Sequence, residues 1–327
     1  MLIRFTTVIL FASLWTVTVH AKGPAYTDPD KADADFALQG EYVGKLSGGD
    51  ETVNLGVQVI ALGEGKFESV AYVGGLPGAG WNGEEKFRAS GQLKDGVVIL
   101  KGDKGRGELR DGVLSITANE DGHSGKLKKT ERQSPTLGLA APENAVVLFD
   151  GSNADAWKDG KMTDDGLLEQ GCTSKQAFGS HQLHIEFRVP YQPEDRGQGR
   201  GNSGIYFQGR YEVQMLDSFG LEGEQNECGG IYSVAKPRVN MCLPPLAWQT
   251  YDAEYTAAKY DDAGKLVANP RITVRHNGVV IHDDIELPGD RNTTAAPLNA
   301  GPEPGPVYLQ NHGNPVRYRN IWVLPKT

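Results

Sequence analysis

Cysteine is scarce in this sequence: there are three among 327 residues, and none belongs to a Cys-x-x-Cys pair. No His-rich cluster accompanies them, so the spacing of a zinc site is missing and no such site is predicted. Three thiols allow one disulfide and leave one over. Cys228 and Cys242, separated by 13 residues, are the more local pair, while Cys172 follows a Gly. The alternative is that all three are small buried hydrophobic residues.

Positive charge is also in short supply. The chain has 33 Lys and Arg residues against 42 Asp and Glu residues, a formal net charge of -9, and no long basic run. A field of this sign repels phosphate backbones. Nucleic acid is therefore not an expected partner.

Long apolar segments are confined to the first 21 residues. Arg4 is followed by an apolar stretch from Phe5 to Val19, and the segment ends Val19-His20-Ala21. A basic start, an apolar centre and small residues at these last positions indicate a secretory signal, with cleavage after Ala21. A membrane anchor is disfavoured because the run is shorter than the roughly 20 residues of a spanning helix. The mature protein is predicted to have no transmembrane anchor and to be periplasmic or secreted.

Turn-forming residues are abundant: 42 Gly and 18 Pro make 60 of 327 residues, or about 18%. This density argues against a helical bundle. With 39% hydrophobic residues and a mean hydropathy of -0.43, the chain can build one large or two medium cores. Short alternating runs between the glycines predict an all-β protein.

Residues 22–132 are predicted to form a small antiparallel β-barrel or sandwich of unassigned function, with strands near 42–46, 53–60, 67–73 and 87–93. Leu93-Lys94-Asp95-Gly96-Val97 recurs as Leu109-Arg110-Asp111-Gly112-Val113. Asp-Gly predicts tight hairpins because both central residues must accept positive φ. Trp81 is interpreted as a cap on the barrel core, with a sugar platform as the alternative. Residues 133–145, with Pro and Gly but no periodicity, are predicted to be a linker.

Residues 146–327 are again strand-rich and predict a β-sandwich with long loops. In residues 182–189, Leu183, Ile185 and Phe187 alternate with His184 and Glu186, which predicts one core face and one wet face. The Asn277-Gly278 step predicts a hairpin turn. Helix is expected at most in residues 142–145 or 221–226.

Two polar clusters are candidate sites. In an extended strand Arg210, Glu212 and Gln214 project to one side, as a sugar-binding cleft requires, although on spacing alone a solvated outer face with an Arg to Glu pair is the preferred interpretation. Gln310-Asn311-His312-Gly313-Asn314 offers donors and a titratable imidazole. His181 and His184 lie three apart in a predicted strand and therefore point to opposite faces, so they are not a metal pair.

Five motifs in residues 146–327 resemble, in the same order, the 3-keto-disaccharide hydrolase domain family. They are Gly201-Asn202-Ser203-Gly204-Ile205-Tyr206, Arg210 to Ser218, Trp248-Gln249-Thr250-Tyr251-Asp252, His276-Asn277-Gly278-Val279 and Leu309 to Trp322. The opening Val147-Leu148-Phe149-Asp150-Gly151 with Trp157 also fits. The resemblance does not extend to residues 22–145. It implies a concanavalin-like jelly roll with a concave sugar-binding sheet.

The resemblance also implies a substrate, a glycoside whose C3 hydroxyl an upstream oxidoreductase has converted to a ketone. A base removes the acidified C2 proton, the enolate expels the oxygen at C1, and water adds back. Within the matching motifs, base and acid are assigned to Glu212 and His312, in either order, and the oxyanion contacts to Arg210 and Asn202. Sugar hydroxyls or a divalent cation are assigned to Gln214, Asp217 and Gln310, with Tyr206 as a further substrate contact. A divalent cation could replace Arg210 at the enolate, and no other cofactor is predicted.

Two further functions fit the same residues. A sandwich of this kind hosts lectins as readily as enzymes, so a non-catalytic carbohydrate-binding module is the first alternative. A structural or partner-binding envelope protein, with the N-terminal barrel as the interaction unit, is the second.

Overall fold

The computed structural model describes residues 23–120 and 122–326. The predicted signal segment, residues 1–21, lies outside the described residues. Among those described, no helix has the length and apolar character needed to cross a membrane.

Residues 40–130 form a closed antiparallel barrel of eight strands, each paired with its sequence neighbours, with β1 closing on β8. The strands are β1 (Gly40–Gly48), β2 (Glu51–Ala61), β3 (Lys66–Val73), β4 (Lys86–Lys94), β5 (Val97–Gly102), β6 (Gly105–Arg110), β7 (Val113–Ala118) and β8 (Ser124–Thr130). The predicted all-β fold with an N-terminal barrel is confirmed.

The two Asp-Gly hairpins of the barrel form as predicted. Asp95 and Gly96 have φ of 51° and 77°, and Asp111 and Gly112 have φ of 50° and 72°. Both central residues are thus left-handed, which matches the turn to the twist of the flanking strands.

Residues 146–325 form two facing sheets and one small ribbon. The strands are β9 (Val146–Phe149), β10 (Trp157–Lys158), β11 (Leu168–Glu169), β12 (Cys172–Phe178), β13 (His181–Arg188), β14 (Ser203–Phe207), β15 (Tyr211–Met215), β16 (Gln249–Thr256), β17 (Lys259–Tyr260), β18 (Leu266–Ala268), β19 (Arg271–His276), β20 (Val279–Glu286), β21 (Gly305–Leu309) and β22 (Arg317–Pro325).

The sandwich pairs a five-stranded sheet with a seven-stranded sheet. The first has the order β10-β12-β21-β14-β15; the second has β11-β22-β13-β16-β19-β20, with β9 added on β22. Their facing sides bury a continuous apolar core that includes Ile185, Phe207, Val213 and Leu309. The Asn277-Gly278 hairpin between β19 and β20 is confirmed, with φ of 49° and 80°.

The predicted helices are absent. Residues 142–145 and 221–226 form turns and irregular chain. The helical turns of the described residues are instead three short 3-10 segments, Pro29–Lys31, Ala34–Ala37 and Gly197–Gly199. Asp28 and Asp33 cap the first two through their side chains, a local signal that apolar periodicity does not contain.

The prediction of a wet face on β13 is wrong at its centre. Leu183, Ile185 and Phe187 face the core as expected, but His184 and Glu186 are equally buried. Residues 134–139, within the predicted linker, lie across this face as a strap. The Gly138 amide donates to Glu186 at 2.6 Å, and Thr136 Oγ1 donates to Asp252 at 2.6 Å. The strap is distant in sequence, so the period-two pattern does not reveal it.

The barrel packs against the sandwich. Outward-facing Ile60, Val70 and Tyr72 of the barrel belong to the apolar cluster of the sandwich. Trp81 packs there too, with its ring 5.0 Å from that of Tyr72. Trp81 therefore covers the contact between the barrel and the sandwich. The sequence prediction that it caps the barrel core is wrong.

The three cysteines form no disulfide. Cys172, Cys228 and Cys242 are free and buried. His181 packs in the interior against Phe207, while His184 stacks on Trp322 on the opposite side of the sheet, so their predicted separation is confirmed.

Candidate active site

A polar pocket opens on the outer face of the five-stranded sheet. Strand register places Tyr206 opposite both Glu212 and Tyr308, and Gly204 opposite Gln214. Since successive side chains alternate between faces, Glu212 and Gln214 share the outer face while Val213 enters the core. The sequence prediction for these two residues thus agrees with the sheet.

The pocket has a volume of about 140 Å³ and brings together five predicted site residues with four others. The predicted ones are Asn202, Glu212, Gln214, Gln310 and His312; the others are Gln198, Tyr232, Thr294 and Ala295. Carboxamides and hydroxyls dominate this lining, and these are the groups that hydrogen-bond sugar hydroxyls.

Glu212 is the buried carboxyl group of the pocket, with 2% of its surface exposed. Its side chain lies flat over Gly204, where a Cβ would come within 2.0 Å of Glu212 Oε1. Only glycine leaves room for this arrangement. Burial raises the pKa of Glu212 to about 8, against the opposing effect of a hydrogen bond from Tyr206. A carboxyl group with this pKa exchanges protons near neutral pH.

Tyr206 lies beneath the pocket and connects three groups. Its hydroxyl donates to Glu212 Oε2 at 2.7 Å, accepts from the Gln310 amide at 3.0 Å, and lies 3.1 Å from the Thr294 carbonyl. Burial and the neighbouring Glu212 charge raise the Tyr206 pKa, so the phenol keeps its proton. When Glu212 is protonated, Tyr206 can turn its own proton to Thr294. Both protonation states of Glu212 are thereby accommodated.

The carboxamides form a network beside Glu212. Asn202 donates to the Gln198 carbonyl at 2.8 Å and to its side-chain oxygen at 3.0 Å, and Gln198 donates to the Asn226 carbonyl at 2.7 Å. With its amide nitrogen facing the carboxyl group, Gln214 donates to Glu212 Oε1 at 2.8 Å. An amide nitrogen has two protons, so Gln310, which donates one to Tyr206, retains one N–H for a substrate oxygen.

Arg210 is outside the pocket. It lies in the turn between β14 and β15, where Gln208 and Gly209 have φ of 51° and 62°, and the strand begins one residue later. Its guanidinium donates to the carbonyl of Asn299 at 2.7 Å and to that of Glu303 at 2.9 Å. The same turn binds Thr293, whose hydroxyl accepts from the Glu212 amide at 3.0 Å. Arg210 therefore holds the loop that brings Thr294 and Ala295 to the pocket.

Asp217 is also elsewhere. It accepts from Arg200 Nε at 2.6 Å in a buried ion pair. Arg200 in turn reaches the Ala61 carbonyl of the barrel at 3.3 Å. The structure thus places Asp217 near the contact between barrel and sandwich.

His312 stands at the exposed rim of the pocket. The four lining residues that sequence reasoning missed come from loops: Gln198 from a Gly-rich segment, Tyr232 from the bend after β15, and Thr294 and Ala295 from the loop that Arg210 holds. Loop residues show no periodic pattern in the sequence. Gln198 is the one of the four with a local signal, because it lies between two glycines. Among the described residues, no group of three His, Cys, Asp or Glu side chains is arranged to hold a metal ion.

These elements define a jelly-roll sandwich with a polar pocket around one buried carboxyl group. Residues 144–324 match the family described as the 3-keto-alpha-glucoside-1,2-lyase-like domain. The chain belongs to this family, and the resemblance seen in the sequence is confirmed.

A solved structure from Parabacteroides distasonis ATCC 8503, provisionally assigned as a glycosyl hydrolase, is similar to part of the chain. It shows 34% identity and a TM-score of 0.52 over 57% of this chain and 85% of that one. A second structure from this organism, with the same provisional assignment, shows 18% identity and a TM-score of 0.42 over 57% and 95%. No curated protein matches the chain.

Proposed function

We propose that the protein cleaves glycosidic bonds of 3-keto-glycosides by elimination and hydration, with Glu212 as the base. Family membership and the 34% identical relative support a glycosidase-type activity. The observation that carries the assignment of Glu212 is its burial under a Tyr206 hydrogen bond in a pocket of carboxamides.

The reaction balances with the groups present. Ionised Glu212 takes the C2 proton, and the C–H electron pair becomes the enolate conjugated with the C3 oxygen. The enolate then forms the C1–C2 double bond as the C1–O bond breaks, and the leaving oxygen takes a proton from His312 at the rim. Water adds at C1 and a proton returns to C2, which gives the 3-keto sugar.

Neutral donors take over the role that the sequence interpretation gave to Arg210. Gln198 and Gln310 line the pocket, and the second N–H of the Gln310 amide is the neutral donor assigned to the enolate oxygen. A raised pKa also makes Glu212 a stronger base than an ordinary carboxylate, which suits removal of a proton from carbon.

The first experiment measures nitrophenol release from a nitrophenyl 3-keto-glucoside beside the unoxidised glucoside, with and without chelator. Release from the keto form alone supports elimination. Loss of release with chelator would show that a metal ion, in place of the amides, stabilises the enolate oxygen. Saturable binding of both sugars without release from either would favour the carbohydrate-binding alternative.

The pH dependence separates base from acid. Because the Glu212 pKa is raised to about 8 and the base must be ionised, kcat/KM for the nitrophenyl 3-keto-glucoside, whose leaving group departs without a proton from His312, should rise with pH and level off above about 8. A rate that falls through this range would require protonated Glu212 and would contradict its role as the base.

Export remains part of the proposal. Amino-terminal sequencing of the protein recovered from the periplasm or medium should begin at Lys22, after the predicted cleavage at Ala21.

A further inference from the structure

The barrel contains a cavity of about 440 Å³, separate from the sandwich pocket. It lies at the end where the β1–β2, β3–β4, β5–β6 and β7–β8 hairpins meet, because its lining residues come from these ends of the strands. An eight-stranded barrel is just wide enough for its side chains to fill it or for one small ligand to enter. In this barrel, side chains fill one end and a cavity occupies the other.

The opposite end is filled by large side chains. Tyr42, Phe67 and Leu109 are fully buried there. Phe36, from the 3-10 segment Ala34–Ala37, packs over that end against Tyr191, with ring centroids 5.1 Å apart. Access to the interior is therefore from the hairpin end.

The cavity exists because the inward positions near the hairpins are small. Six of the lining residues have no more than a methyl side chain: Ala71, Ala89, Gly102, Gly105, Gly107 and Ala118. At Gly102 and Gly105 a Cβ would meet backbone oxygens, but Ala71, Ala89 and Ala118 would be larger in a barrel that needed only a packed core.

The cavity walls are apolar yet accessible. Val53, Val73, Phe87 and Ile116 line the cavity and are only half-buried, since nothing from the described chain covers them. Removal of apolar surface from water by a bound ligand stabilises the complex. This favours an occupant with an apolar body.

The mouth has no preferred sign of charge. Glu51, Glu85 and Glu120 are balanced by Arg88, Lys104 and Arg106. Several of these charges are paired with each other or with neighbours: Lys104 with Glu120 at 2.7 Å, Arg106 with Glu108 at 2.6 Å and Arg88 with Glu222 at 2.7 Å. The balance of three acidic and three basic side chains gives neither an anionic nor a cationic ligand an advantage.

We propose that the barrel is a binding site for an uncharged organic molecule with an apolar body and one polar end, the body held between the small inward residues and the polar end at the charged mouth. The volume lies within the range of small-molecule sites. An aliphatic and an aromatic molecule share this chemistry.

Binding to the full chain is tested with the neutral dye N-phenyl-1-naphthylamine, whose fluorescence rises in apolar surroundings. Ala89→Phe and, separately, Ala118→Phe fill the cavity and should weaken dye binding about ten-fold or more. The matched controls Ser90→Phe and Thr117→Phe add the same ring to the exposed outer face of the same strands and should leave the affinity unchanged. Two filling variants keep the test valid if one fails to fold by circular dichroism.

Competition then identifies the body of the ligand. Displacement of the dye by 1-dodecanol, by 2-naphthol or by both supports the site and distinguishes an aliphatic from an aromatic occupant. Unsaturable dye binding, or equal binding by the filling variants and their controls, would overturn the proposal.

Discussion

The barrel cavity, at about 440 Å³, has about three times the volume of the sandwich pocket, at about 140 Å³. The larger one has apolar walls and a mouth with three acidic and three basic side chains. The smaller one surrounds a carboxyl group whose pKa burial raises to about 8. Volume therefore identifies where a molecule fits, whereas a buried titratable group with defined hydrogen-bond partners identifies where chemistry can occur.

Glu212→Gln should have the largest effect on turnover. The amide keeps the shape of the side chain and can still accept from Tyr206, but it cannot take a proton. Turnover of a 3-keto-glycoside should fall about 10²–10⁴-fold, while dye binding in the barrel stays unchanged. Steady-state kinetics and dye titration of the same preparation measure both.

Glu254→Gln, at an exposed position of the sandwich, is the matched control and should retain full turnover. Near-normal turnover by Glu212→Gln would move the chemistry away from this pocket.

Gly204→Ala tests whether the position of the carboxyl group matters as well as its presence. The added methyl would overlap Glu212 Oε1 and displace the carboxyl group from Tyr206. We expect kcat to fall about ten- to a hundred-fold. Gly179→Ala, in the same sandwich but with open space at its Cβ, should change kcat little. Equal rates for the two variants would show that the Glu212 geometry is not required.

Arg210→Met distinguishes a loop anchor from a substrate contact. Loss of the bonds to Asn299 and Glu303 should cost about 1–3 kcal/mol of unfolding free energy and raise KM, because the loop with Thr294 loosens. Thermal unfolding and kinetics check this. A large drop in kcat with an unchanged Tm would restore Arg210 to the enolate.

Thr136→Val should have the smallest effect on turnover, because the strap lies on the other sheet. It removes hydrogen bonds to Asp252 and Thr250 and should lower stability by about 1–3 kcal/mol, with kcat/KM unchanged. Thr256→Val, at an exposed position, is the control for stability. A fall in kcat/KM would mean that the two faces of the sandwich are coupled.

Local patterns predicted the parts of this structure that depend on local geometry. Alternation located four of the eight barrel strands, Asp-Gly and Asn-Gly located three hairpins, and period two placed Glu212 and Gln214 on one face. Arg210 does not share this face with Glu212 and Gln214. Gln208 and Gly209 are left-handed and make the chain turn, so the alternation starts only at Tyr211.

The remaining differences come from segments far apart in the chain. The strap over His184 and Glu186 and the pocket contacts of Gln198 and Thr294 all depend on tertiary packing, which a period in the sequence does not encode. The empty half of the barrel was likewise hidden, because alanine and glycine at inward positions follow the same alternation as a filled core.

The central claim is that a 3-keto-glycoside is cleaved through removal of its C2 proton by Glu212. Cleavage in D₂O with magnetic resonance of the product tests it most directly, beside authentic 3-keto-glucose incubated for the same time to measure spontaneous exchange. If Glu212 removes the C2 proton, the product carries deuterium at C2 well above that control, and Glu212→Gln forms product and exchanged substrate about 10²–10⁴-fold more slowly. Cleavage that leaves the original C2 proton in place would contradict it.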